Sequence, residues 1–177
     1  MLPEEVLAEL PSDFSIAIRT QPQNHWKAYH IMDIVPYPAV CVSFNRTAAN
    51  VHALLGRNNI NTQNMHIIDV LSQVIESPLK VEKTTYVYPS SMGMVVEKVK
   101  EVLSQFPMSE RFVIVDAVHD WGLHVNEENM IKRIDEMHRE LKSVHAKIVF
   151  LYEKEKVSEA VEETINRKCD KVIEMNE

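Results

Sequence analysis

The segment DAVHDWGLH brings Asp116, His119, Asp120 and His124 within nine residues, and two imidazoles with a carboxylate are donors that a divalent metal can use. Their spacing matches no established metal motif, and the other histidines are scattered along the chain, so polar loop residues beside a sheet edge are the better reading. Nucleophilic chemistry has less support. Ser90 and Ser91 in YPSSMG lack the G-x-S-x-G elbow that exposes a serine on a sharp strand-to-helix turn. Cys41 sits in an apolar run, where a thiol is buried and inert. The nine methionines fall mostly on helical stripes and read as core, and Tyr29, Tyr37, Tyr86 and Tyr88 read equally well as packing residues. The polar turn RNNINTQN has no basic or aromatic cluster and carries no nucleic-acid signal.

The elements that must position these residues alternate along the chain. FSIAIRT, PAVCVSF, NMHIIDV, TTYVYP, RFVIVDAV, AKIVFLY and DKVIEM are β-branched runs of strand length, several of them apolar on both faces. Between them the spacing is helical. Ala48, Val51, Leu54 and Leu55 form a stripe with Thr47 as N-cap and Gly56 where a left-handed C-terminal cap belongs. Further stripes run through Met94–Phe106, Asn126–His145 and Lys154–Lys168, and the opening stretch Ser15–Tyr29 reads as a first strand entering a first helix. The expected architecture is a three-layer α/β/α sandwich with a mainly parallel central sheet. In such sheets ligands bind beyond the carboxyl ends of the strands, which selects Thr20 to Lys27, Asn45, Arg46, Asp69, Asp116 to His124 and Glu153.

Bulk properties narrow the classes. The 177 residues suit one domain, with residues 1–13 as an N-terminal helical extension. A net charge of -7 offers no general attraction to nucleic acid or to an anionic membrane, and neither is expected as a partner. Cys41 and Cys169 are too far apart in sequence for a CxxC motif, and MLPEEVLAEL carries acids where a signal peptide needs bases, so a cytoplasmic protein is expected. Gly56, Gly93 and Gly122 are the only glycines. That count excludes every phosphate-cradling loop built from several of them.

The order of these segments carries a resemblance. AVCVSFNRTAANVHALLGRNNINTQNMHIID, then YVYPSSMGMVVEKVKEVL, the aspartate-ended strand RFVIVDAVHDW, a long helix, KIVFLYE and CDKVIEM together resemble the RecA/KaiC-like ATPase domains common in archaea, over about Phe14 to Met175. The resemblance implies a RecA-like, P-loop NTPase-like core. It also implies a Walker A loop after the first strand, acidic residues that assist hydrolysis after the second, and a Walker B aspartate that helps hold magnesium. Laying G-x-x-x-x-G-K-[ST] on the chain with Lys27 as the lysine puts Gln21 and Trp26 at the glycine positions and Ala28 at the hydroxyl position. Asn45 and Arg46 stand where the KaiC branch has its glutamates, and neither serves as a carboxylate base. Asp116 matches the Walker B position and reads as a relic or a structural cap.

Gln21, Trp26, Lys27, Ala28, Asn45, Arg46 and Asp116 are therefore expected to mark a vestigial nucleotide site, with no ATPase activity, no cofactor and no metal. The expected role is regulatory or scaffolding, through contact with a second copy of the chain or with an active RecA/KaiC-like paralogue. The other expectation is a sensor that holds a nucleotide or another small anion in a cleft remodelled by His25, Trp26, Arg46 and Asp116, without turning it over.

Overall fold

The computed structural model describes residues 9–35, 37–75, 79–88, 92–120 and 126–175. Ser90, Ser91 and His124 lie outside these, as do residues 1–8 of the expected N-terminal helix; residues 9–13 form turns rather than helix.

All seven apolar runs fold as strands: β1 (Ser15–Thr20), β2 (Ala39–Ser43), β3 (Met65–Asp69), β4 (Thr84–Tyr86), β5 (Phe112–Asp116), β6 (Lys147–Glu153) and β7 (Lys171–Met175). They form one parallel sheet in the order β4-β3-β2-β5-β6-β1-β7. Every residue of β2, β5 and β6 is buried, as continuous apolar runs require when helices cover both faces.

The two faces follow from the pleat. Val40, Val42, Val113, Val115, Ile148 and Phe150 point to one core, and their neighbours Cys41, Ile114, Val149 and Leu151 to the other. The first core is covered by α4 (Met92–Leu103), α5 (Glu127–Lys142) and α6 (Glu159–Lys168), through Val95, Val99, Ile134, Met137, Val161 and Ile165. The second is covered by α1 (Ile31–Ile34), α2 (Ala48–Arg57) and the segment before α1, through Ala28, Tyr29, Ile31, Val51 and Leu55. A short α3 (Leu71–Val74) follows β3. Among the described residues no helix is long and apolar enough to cross a membrane.

Helix starts follow side-chain chemistry. Thr47 accepts a hydrogen bond from the Asn50 amide at 3.3 Å, Asn126 from Asn129 at 2.9 Å, and Ser158 from Val161 at 3.4 Å. Two expectations are corrected. Gly56 lies inside α2 with no positive φ, and the left-handed turn comes three residues later at Asn59, with φ 57°. The first helix is not α-helical: Pro22–His30 is a nine-residue 3-10 helix. Its three-residue period sets His25, Ala28 and Ile31 in one buried row against the sheet.

Candidate functional site

The connections after β1 and β2 leave over one face of the sheet and those after β5 and β6 over the other. The direction of connection therefore switches between β2 and β5 and between β6 and β1, the kind of position where open α/β sheets form their ligand crevice.

Asp116 ends β5 at the first of these positions and is fully buried. Its Oδ1 is in a short hydrogen bond with His25 Nε2. Its Oδ2 accepts from Arg46 Nη1 at 3.4 Å, and the same guanidinium nitrogen donates to Asn45 Oδ1 at 3.2 Å. Behind His25, Nδ1 lies 3.1 Å from Thr20 Oγ1, which donates to the Tyr152 carbonyl at 3.4 Å. Burial alone would raise the Asp116 carboxyl. The charge and hydrogen bond of His25, the charge of Arg46 and a hydrogen bond from Tyr29 outweigh it and hold the group below its ordinary value.

Tyr29 Oη and Cys41 Sγ meet 3.5 Å apart beside this carboxylate. Burial first, and the Asp116 charge second, push both groups upward, which favours the protonated thiol.

A second cluster adjoins the first. The His119 ring meets His25 edge-on, with centroids 6.0 Å apart. The Glu153 amide donates to His119 Nδ1 at 3.2 Å, which assigns the ring proton to Nε2. That Nε2 lies 3.3 Å from Asp120 Oδ2 and 3.5 Å from Glu153 Oε1, with the alignment of a hydrogen bond to neither. Asp120 accepts a short bond from Asn45, and Lys156 Nζ is 2.9 Å from Glu153 Oε2. Burial raises the Asp120 carboxyl, but His119, Asn45 and Lys156 together hold it below its ordinary value. Ala117 takes φ 55° between the clusters, a left-handed conformation that costs a non-glycine residue about 1–2 kcal/mol. From Ala117 the chain turns tightly, with the Asp120 amide bonding back to the Ala117 carbonyl at 2.8 Å.

The positions aligned with a P-loop scatter. Gln21 is exposed and accepts from Gln23 at 2.6 Å. Trp26 packs on the second core with its ring 5.8 Å from His30. Ala28 is fully buried in that core, and Lys27 is half-buried with no ion pair to a described residue. His25 and Tyr29, not Lys27, are the residues of this segment that reach Asp116. The capping role considered for Asp116 falls instead to Asp69, whose carboxylate accepts from the amides of Ala48 at 2.6 Å and Ser72 at 2.8 Å. His119 and Asp120 meet while Asp116 faces His25 and Arg46, and among the described residues no group of three or more His, Cys, Asp or Glu side chains could hold a metal ion.

No protein-family model and no curated protein matches the sequence. Solved structures do match the fold. A KaiC-like protein of Pyrococcus horikoshii aligns with a TM-score of 0.66 and 13% identity, over 95% of this chain and 75% of that one. An uncharacterised protein of the same organism, crystallised with an unknown peptide, gives 0.77 and 10% over 98% and 81%. The flagellar accessory protein FlaH of Methanocaldococcus jannaschii gives 0.52 and 13% over 93% and 72%. At these identities the likeness is one of fold: the chain has the α/β RecA-like fold of the KaiC-like protein.

Proposed function

We propose that this chain is a non-hydrolysing RecA/KaiC-like domain that acts through protein contacts, as a regulator or scaffold. The carrying observation is the state of Asp116. A carboxylate that serves a magnesium-bound nucleotide must face it, whereas both oxygens of Asp116 are taken by His25 and Arg46 of the same chain, at no measurable exposure. The residues around it do not fit a magnesium triphosphate. The nine-residue 3-10 helix presents side chains where a phosphate cradle presents bare amides, and Ala28 offers a metal no oxygen and faces the core. The peptide bound by the Pyrococcus horikoshii neighbour supports a protein partner, here a second copy of the chain or an active paralogue.

A second reading rests on Arg46. Its side chain is 28% exposed and its two acceptors lie at 3.2 and 3.4 Å, long for bonds of a guanidinium, so it can turn outward to a small anion without stripping Asp116 of His25. Isothermal titration with ATP·Mg and with ADP separates the readings. Absence of heat with either supports the interaction domain, nucleotide binding lost in Arg46→Ala supports the sensor, and turnover of bound ATP removes both.

A further inference from the structure

At the opposite end of the sheet, under the amino ends of β1, β2, β5 and β6, lies a cavity of about 450 Å³ lined by Ser12, Asp13, Tyr37, Met108, Ser109, His145 and Lys147. Lys147 is 8% exposed. Its Nζ donates to the Ser109 carbonyl and sits 4.6 Å from the centre of the Tyr37 ring. No described carboxylate pairs with it, because the nearby Asp13 is engaged by Lys142 at 3.2 Å.

A buried ammonium without a counter-ion is the anomaly, since buried charges are normally paired. The carbonyl ends of α4 and α5 face this side and supply partial negative charge, about half a unit each at most, which is not a counter-ion. Burial accordingly pushes Lys147 down, against the pull of Asp13 and Glu110. The rest of the wall is mixed: the Tyr37 ring and Met108, which is 52% exposed, offer surface for a planar or aliphatic body, beside the polar Ser12, Ser109 and His145 and the Asp13 carboxylate that Lys142 offsets.

We propose that this cavity binds a small organic anion, a carboxylate or phosphate monoester on an apolar body, with the acid on Lys147 and the body against Tyr37 and Met108. The Asp116 cluster at the carboxyl edge is not involved, so this site stands or falls independently of the proposed function.

The test is an amide NMR titration of the full chain with benzoate and with phenyl phosphate, using benzamide as the neutral control. The expected result is saturable shifts at Asp13, Tyr37, Ser109, His145 and Lys147 with one or both anions, at least about tenfold weaker for benzamide and for Lys147→Met. Should Lys147→Met fail to fold, the contrast between anion and benzamide in the native protein decides. No saturable shift with either anion, equal affinity for benzamide, or shifts confined to Arg46 and Asp116 overturns the proposal.

Discussion

At the scale of single residues, the pair formed by His25 and Asp116 is where function and stability meet. Removing one partner of a buried pair strands the other, so Asp116→Ala and His25→Ala should each cost about 3–5 kcal/mol in urea unfolding, and the double variant less than their sum. Additive losses would mean that the two side chains do not interact. The pH dependence has a definite sign. Asp116 and Asp120 are both held below their ordinary values, so the stability they contribute is present above about pH 4 and is lost as pH falls through the depressed values. Unfolding free energy measured from neutral to acidic pH should therefore fall below about pH 4, and Asp116→Asn should flatten that fall. The sequence made Asp116, Arg46, His25 and Glu153 visible as residues at strand ends. It did not show that His25 rather than Lys27 reaches the carboxylate, nor that His119 would settle between Asp120 and Glu153. The first depends on the winding of a nine-residue helix, and the second on a contact that spans 34 positions.

At the scale of elements, strands were legible because burial on both faces writes uninterrupted apolar runs, and all seven were found, six within two residues at each end and the edge strand β4 shorter than its run TTYVYP. Helix starts were legible at Thr47, where a hydroxyl precedes the apolar stripe. Thr47→Ala should cost about 1 kcal/mol by thermal unfolding. Helix ends were harder to read. Gly56 looked like a left-handed cap, yet it continues the helix, and an added Cβ there meets nothing within 4 Å. Gly56→Ala should therefore stabilise the protein by roughly 0.5–1 kcal/mol, whereas a residue that needed positive φ would lose stability on the same change. The segment Pro22–His30 could not be read from spacing alone, because a buried row at His25 and Ala28 fits a 3.6-residue period as well as a three-residue one.

At the scale of the molecule, the strand order puts the ends of β1, β2, β5 and β6 side by side, and this is the arrangement that a nucleotide-binding sheet would use. At that edge the Asp116 carboxylate is engaged by His25 and Arg46 of the same chain. The order of segments was readable from the sequence; these contacts were not, since they join partners far apart along the chain. If contact between proteins is the role, the native chain should self-associate or retain an active RecA/KaiC-like paralogue in sedimentation velocity. A monomer that engages neither would argue against the scaffold. The sharpest discrimination comes from equilibrium binding of labelled ATP and ADP with magnesium to the native protein, Lys27→Ala and Asp116→Ala. No binding by any of the three is the predicted result. Stoichiometric binding by the native protein, lost in both variants, would contradict it and establish a working nucleotide site of unfamiliar design.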